Sequence, residues 1–580
     1  MVVPQGLSDE QLRVLDPAVR VVEAGPGSGK TRSLVARFIE TASRCPEGTG
    51  VALLSFTNAA VDEVRRRTSN APQLLRSPHF VGTIDAFLHR FIVSPSEVAR
   101  LGKLPAYWAS WDDLPSDMRD VRIYQVKGAG IPLSRFRMAE SGDVTLSEGE
   151  LSWQEQSYLG QVEAAGQRSA LVNRAGSIIR GLNKKGVYDA NSARVTAYHI
   201  IEESQGNAIL GRLARRFVEI LVDEAQDCDA AEFAIIRQLA ALTSTLVVAD
   251  PDQAIFGFRG GDPKLFSGYW NDHSPAERSN LTTNYRSSGS ICSAINALRT
   301  VGVGVAVPSD TSACPPVYLL TGTLAEQRSK FLTILTEASL LPTQAVALAH
   351  RRTDAAAFAG GTATAVAGGA GNRLAVHAGA LRRPGVAAAE RMRSLQHLED
   401  LLLELLSWPD EMLTAARADR LDALGRSAEW LRIVVAGVLA QLAVATSSAQ
   451  FGAIARTAIG QTLHGLPFPA ASLSSRVKKP SDDAWLLYAA GDQEQLQYDT
   501  IHGAKGAEFP AVVVCLPASL PKRNGTDVLE DWASGTNSEA RRVLYVGVSR
   551  AEHILAIAVG THAPRIEELL SLSGTATEIR

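Results

Sequence analysis

Val21-Val22-Glu23-Ala24-Gly25-Pro26-Gly27-Ser28-Gly29-Lys30-Thr31 is the stretch from which the fold class follows. Val21-Val22 reads as the end of a buried strand. A glycine-rich turn follows it. After the turn, Leu34, Val35, Phe38 and Ile39 recur at helical spacing. Strand, glycine turn and helix are the context of a phosphate-binding loop. Gly25, Gly27 and Gly29 let backbone N–H groups curl around phosphate oxygens. The helix N-terminus adds partial positive charge. Lys30 is placed to reach the β- and γ-phosphates of a nucleotide, and the Thr31 hydroxyl to help hold Mg²⁺. Ala24 stands where the strict pattern has its first glycine.

Outward from this stretch the α/β alternation continues. Before it, Ser8 or Asp9 is a helix cap, and Gln11 offers the donor and acceptor that an adenine edge requires. An exposed helical glutamine is the blander reading of Gln11. After it, Val51 to Phe56 is a second apolar strand, ending in Thr57-Asn58 ahead of a helix from Ala59 to Arg67. Phe56, Thr57 and Asn58 thus fall at a strand's carboxyl end, where open sheets bind ligands. Val81 to Phe87 holds a further strand end. Phe217 to Val222 leads into Asp223-Glu224-Ala225-Gln226-Asp227, an acidic strand end of the kind a P-loop enzyme needs. Asp223 would bind Mg²⁺ and Glu224 would polarise the attacking water. Thr245 to Ala249 leads into Asp250-Pro251-Asp252-Gln253, where Gln253 is placed to sense a γ-phosphate. Phe256, Phe258 and Arg259 then interleave aromatic and cationic groups. That mix suits stacking on unpaired bases, although both phenylalanines also read as core residues.

Composition sets limits. At 580 residues the chain is long enough for several domains. The net charge of -3 gives no global basic signature, which leaves a local basic groove open. The 5 cysteines form no Cys-x-x-Cys pair, so neither zinc nor a disulfide framework is indicated, and a reducing, cytoplasmic setting fits. No run of about 20 apolar residues suggests a membrane span, and no signal-peptide pattern opens the chain. Residues 98–204 read as a mostly helical insertion. Its Arg174, Arg180, Lys184 and Lys185 are either a nucleic-acid contact or a solvated face.

With these residues in place the sequence resembles the UvrD/Rep/PcrA family of superfamily 1 DNA helicases. The order of the motifs carries the resemblance. Gln11 is similar to the Q motif, Ala24 to Arg32 to motif I, Phe56-Thr57-Asn58 to motif Ia, and Gly82-Thr83 to the next DNA-contacting motif. Asp223 to Asp227 resembles motif II, Asp252 to Gly260 motif III, and Asn284-Tyr285-Arg286-Ser287 motif IV. Thr500 to Phe509 resembles motif V and Glu539 to Ala551 motif VI. The resemblance implies two RecA-like P-loop domains, each a parallel sheet with helices on both faces and a mostly helical insertion. The expected segments are 1–97, 98–204 and 205–280 (domain 1A, insertion 1B, domain 1A), then 281–371, 372–489 and 490–580 (domain 2A, a reduced insertion 2B, domain 2A).

The resemblance also implies roles. ATP with Mg²⁺ would bind between the two domains, held by Gln11, Ala24, Gly25, Pro26, Gly27, Ser28, Gly29, Lys30, Thr31 and Arg32. Tyr285 would stack on adenine and Glu508 reach the ribose. Lys30, Asp223, Glu224, Gln253, Arg286 and Arg550 would carry hydrolysis, the two arginines at the γ-phosphate. Phe56, Thr57, Asn58, Thr83, Phe256, Phe258, Arg259 and His502 would contact single-stranded or tailed DNA, tracked 3′ to 5′. Gly503 and Ala507 depart from the usual Ser and Leu of motif V, and Ala355 to Gly371 reads as a flexible linker. The expected function is an ATP-dependent DNA helicase or single-strand translocase in repair or recombination. The alternative is the UvrD-like subunit of a Gabija-type anti-phage complex, sensing DNA ends and controlling a partner nuclease. A non-hydrolysing binding module would need a broken site, and the hydrolytic residues are all present.

Overall fold

The computed structural model describes residues 6–580 apart from 57, 69–70, 109, 115–118, 125, 129, 149–150, 204–205, 303, 360–368, 383–387, 410–411, 413–416, 470–471, 490–495, 518 and 523–524. Its contacts divide the chain into two units. Unit 1 comprises Met1–Cys314, Lys522–Ser549 and Leu572–Gly574, and unit 2 comprises Pro315–Pro521, Arg550–Ser571 and Thr575–Arg580.

Unit 1 is built on strands β1 (Val21–Ala24), β2 (Gly50–Ser55), β3 (Phe80–Thr83), β4 (Phe217–Val222), β5 (Ser244–Ala249) and β6 (Arg278–Leu281). They form one sheet in the order β6-β1-β5-β4-β2-β3. Every pairing in it is parallel. The strands read as unbroken apolar runs because both faces are covered, and side chains alternate between the faces. Val21, Ala52, Leu54, Ile220, Val222, Val247 and Ala249 enter one core, with Phe233 and Ile236 of helix Ala230–Ala240. Val22, Ala24, Val51, Leu53, Leu221, Leu246 and Val248 enter the other, with Leu34, Val35 and Phe38 of helix Lys30–Ser43. Each such side chain contributes roughly 1.5–3 kcal/mol on burial. The strand order has a chemical consequence. β1, β5 and β4 are adjacent, so the phosphate loop, Asp250 and Asp223 emerge side by side at their carboxyl ends.

The insertion after β3 carries helices Trp153–Ala164, Arg168–Lys184 and Ala190–Glu202, as expected, and has its own core. It also contains pairs of two- and three-residue strands, such as Phe136–Met138 with Val144–Leu146. Strands that short hold too few residues to show alternation. Arg194 fastens the insertion to the sheet domain. It is buried, with Asp229 at 3.0 Å and Asp85 at 3.3 Å.

Unit 2 has strands β7 (Val317–Leu320), β8 (Ala345–Ala349), β9 (Gln497–Thr500), β10 (Phe509–Cys515), β11 (Ala551–Ala558) and β12 (Thr577–Ile579). Its sheet runs β9-β8-β10-β11-β7-β12, again wholly parallel. Two edge strands escape the sequence reading. Gln497–Thr500 and Thr577–Ile579 are polar and only partly buried, as edges are. The sheet is therefore closed by β12, and Ile554 to Val559, expected as the closing strand, lies mostly in β11 inside it. Within Ala355 to Gly371, residues 355–359 end helix Arg352–Ala359, Gly371 belongs to helix Ala370–Arg382, and 360–368 lie outside the described residues. From there to Ala489 the described elements are almost entirely helical. They enclose a core drawn from residues between Leu374 and Tyr488.

Candidate nucleotide and nucleic-acid site

Ala24 ends β1 with its methyl group in the core, which explains why a Cβ is accepted there. The turn proper begins at Gly25, whose amide donates to Leu281 O (3.0 Å). Gly27 (φ +70°) and Gly29 (φ +80°) occupy the left-handed region. A Cβ on Gly27 would stand 2.2 Å from Asn284 Oδ1, and one on Gly29 2.5 Å from Gln11 Nε2. Glycine thus sets the curl and admits two supporting amides. Ser28 Oγ donates back to Gly25 O at 2.7 Å. Pro26, Thr31 and Arg32 complete the loop and the first turn of helix Lys30–Ser43.

Gln11 is 2% exposed, which corrects the exposed-helix reading. Its Nε2 donates to Ser28 O (3.0 Å) and its Oε1 accepts from the Ser8 amide (3.2 Å). The glutamine is therefore a prop of the loop in this structure. Asn284 is a second prop, for which the motif match gave no role. Its Oδ1 accepts from the Arg286 and Ser287 amides at 2.8 and 2.9 Å. The Tyr285 amide donates to Gly27 O (2.9 Å), leaving a ring 49% exposed beside the loop. Arg286 Nη1 donates to Ser549 O at 3.1 Å.

The acids converge on Lys30. Its Nζ lies 3.0 Å from Glu224 Oε1. Burial works to lower the Lys30 ammonium, but Glu224, Asp223 and Asp250 outweigh it and hold it above its ordinary value. Asp223 is buried, and its Oδ1 accepts from the Glu224 amide at 2.9 Å. Burial and the neighbouring Glu224 charge push it up to about 7, against the pull of Lys30. Glu224 has φ +57°, a conformation that a side chain with a Cβ enters at a cost. Gln226 holds it there by donating to Glu224 Oε2, while Gln226 Oε1 accepts from the Asp250 amide at 3.1 Å. Gln253 donates to Asp250 Oδ2 at 2.8 Å, as does the Tyr545 hydroxyl at 3.0 Å. Asp250 and Tyr545 are thus site residues the sequence reading missed. An aspartate preceding the assigned motif was the available signal for one, and nothing local marked the other. The donor set fits a magnesium nucleotide: loop amides and Lys30 for phosphate, Asp223 and the Thr31 hydroxyl for the metal.

A second cluster lies beyond the ends of β2 and β5. The rings of Phe56 and Phe256 stack at 5.6 Å with an interplanar angle of 28°, and the Arg259 guanidinium lies 4.9 Å from the Phe56 ring centre. All three are partly open to solvent. Thr83 spends its hydroxyl as a helix cap, accepting from the Ala86 amide at 3.1 Å. Thr57 and the side chains of Asn58 and Phe258 lie outside the described residues. Glu508, His502 and Arg550 belong to unit 2. There His502 packs edge-on against His350 (5.7 Å), and Arg550, 2% exposed, donates to Ala507 O at 3.4 Å.

The chain matches the model of the UvrD/REP helicase N-terminal domain over residues 7–274 and that of the UvrD-like helicase C-terminal domain over residues 486–561. Among curated proteins it is 31% identical to DNA helicase II of Escherichia coli (strain K12) over 281 residues, 48% of this chain and 38% of that protein. It is 27% identical to the ATP-dependent DNA helicase PcrA of Staphylococcus aureus (strain Mu50) over 282 residues, 48% and 37% of the two chains. The putative ATP-dependent DNA helicase YjcD of Bacillus subtilis (strain 168) is 26% identical over 315 residues, 50% and 37%. The chain thus spans about two fifths of the length of the curated relatives it matches.

Proposed function

We propose, for a chain that belongs to the UvrD/REP helicase family, ATP hydrolysis coupled to movement along single-stranded DNA, with strand separation as its outcome. The observation that carries this reading is the Lys30–Glu224 pair, 3.0 Å apart beneath a phosphate loop, with Asp223 beside it. Lys30 and the loop amides would take the phosphates, and Asp223 with Thr31 would hold Mg²⁺, which screens phosphate charge when bound. Glu224 is assigned as the base that orients water, Gln253 as the sensor, and Arg286 and Arg550 as the cations for charge developing in the transition state. Phe56, Phe256 and Arg259 are assigned to base stacking, for which an aromatic pair under a guanidinium is suited. Residues 1–97 with 205–280 and 281–371 with 490–580 are proposed as the two motor domains, carrying insertions 98–204 and 372–489. Travel is proposed to run 3′ to 5′, in repair or recombination.

The test is hydrolysis by the purified chain with and without 3′-tailed DNA, strand separation being followed in parallel. DNA-stimulated hydrolysis that Lys30→Ala abolishes, together with strand separation, is expected. Hydrolysis unchanged in Lys30→Ala would overturn the site. Hydrolysis without separation on any tailed substrate would overturn the helicase half. Phe256→Ala is expected to weaken DNA stimulation by about 1–3 kcal/mol, read as a rise in the half-saturating DNA concentration. Hydrolysis without DNA should stay near the parent rate.

A further inference from the structure

Behind the phosphate loop lies a charge cluster that the reading above leaves unused. Glu23 is a carboxylate in the otherwise apolar strand β1, and it is buried. Its Oε1 accepts from the Gly304 amide at 3.0 Å and from Arg299 Nη2 at 3.3 Å. Asp252 is buried too. Its Oδ2 accepts from Arg299 Nε at 3.2 Å and from the Gly302 amide at 2.9 Å. Its Oδ1 accepts from the Thr300 hydroxyl and amide and from the Val301 amide. Asp250 Oδ1 lies 3.7 Å from Arg299 Nη2. One guanidinium therefore serves three buried carboxylates. The remaining nitrogen, Nη1, is the nearest atom, at 3.6 Å, to where a Cβ on Gly25 would stand. Arg299 is fixed in turn at the end of helix Gly289–Leu298, its own carbonyl taken by Arg541 Nη2 at 2.9 Å.

The carboxylates face two cations. Asp250 lies in the field of Lys30 as well as of Arg299. If Arg299 were lost, the buried acids would be left uncompensated and Lys30 would be the cation nearest to hand. A lysine drawn toward Asp250 is a lysine withdrawn from phosphate.

We propose that Arg299 is a positioning residue for nucleotide binding: it neutralises Glu23, Asp250 and Asp252, so that Lys30 stays committed to phosphate and the loop at Gly25 keeps its curl. Glu23 then acts in the opposite sense, as the counter-charge that tempers this end of the site. The proposal rests on the ATP reading above.

The experiment is the affinity of the full chain for Mg-ADP by titration calorimetry, with thermal midpoints measured alongside. Arg299→Gln is expected to weaken binding about tenfold, the size of one buried charge interaction lost. Glu23→Gln keeps the shape and an acceptor for Gly304 while removing a negative charge. It is expected to tighten binding roughly two- to threefold. Glu23→Gln/Arg299→Gln should fall between the two. A purely structural role would lower the thermal midpoint and the bound fraction without changing affinity in the folded protein. Unchanged or weakened affinity in Glu23→Gln overturns the proposal, even should Arg299→Gln fail to fold. Failure of the parent to bind, with Lys30→Ala indistinguishable from it, would sink the ATP reading and this one together. Binding by the parent, lost in Lys30→Ala but indifferent to Glu23 and Arg299, would sink this one alone.

Discussion

Lys30 and Glu224 face each other as an ion pair, so changing either alters both. Glu224→Gln leaves the shape, removes the base and frees the lysine from one counter-charge. It is expected to bind nucleotide at least as tightly as the parent while turnover falls by about 100-fold or more, checked by single-turnover hydrolysis against equilibrium binding. Gly27→Ala is a test of the loop itself. A methyl group at φ +70° and 2.2 Å from Asn284 Oδ1 has no room. Backbone strain alone should cost about 1–2 kcal/mol, seen as a lower urea midpoint, with the clash adding to it. Residues of this kind were legible because their chemistry leaves few other uses: a Gly-rich turn with Lys-Thr, or Asp-Glu at a strand end. Gln11, Asn284 and Tyr545 were less so. A glutamine that props a loop looks the same in sequence as one in water, and Tyr545 meets Asp250 only through the fold. Glu23 was visible as an acid in an apolar strand, but nothing local named its partner, Arg299, far along the chain.

At the scale of elements, the strands with two covered faces were readable as apolar runs, and their cores divide by odd and even residue. Edge strands and two-residue ladders were not, since neither hydrophobicity nor period marks them. The helix Glu539–Val548 shows a different limit. It is tied down by polar side chains, Arg541 to the carbonyls of Leu298 and Arg299 and Arg542 to Ala254 O at 2.6 Å, and such contacts have no sequence signature. Helix Ala370–Arg382 gives a pH prediction. His377 stacks on His397 at 4.6 Å, with Ser394 Oγ 3.5 Å from its Nδ1. Burial, then His397 and Arg373, push it down to about 4. The unfolded imidazole takes its proton near 6.5 and the folded one only near 4. Stability from this group is therefore intact above about pH 6.5 and is lost as pH falls toward 4. The loss should be on the order of 1–2 kcal/mol, allowing for the solvent-facing part of the ring. Urea unfolding at pH 7 and pH 5 checks it, and His377→Gln should flatten the difference.

Across the whole molecule, each unit carries a parallel sheet and a body of other elements spliced into it. The helical body of unit 2 draws its core from its own residues, including Leu401, Leu431, Phe451 and Tyr488. Residues 369–489 alone are therefore expected to fold, giving a helical circular-dichroism spectrum and a single cooperative melt; a spectrum without helix would show that the sheet is needed. The division into units was legible from motif order, because motifs for one site recur at both ends of the chain. The arrangement of the bodies was not, since helical periodicity says which face is buried and not against what.

The first and last helices of that body, Ala370–Arg382 and Asp482–Ala489, pack against each other. The body leaves the sheet after the crossover helix Arg352–Ala359 and returns at β9, and β8 and β9 are already direct neighbours, Val346 opposite Gln497. The ladder is thus complete with or without the excursion. Even for a structureless chain, lengthening a crossover from a few residues to well over a hundred costs only about 3 kcal/mol of closure entropy. A folded body whose two ends meet costs less, because it brings its own clasp. The junction behaves as a graft point: a lineage can enlarge, shrink or exchange what hangs there while the motor beneath keeps its thread.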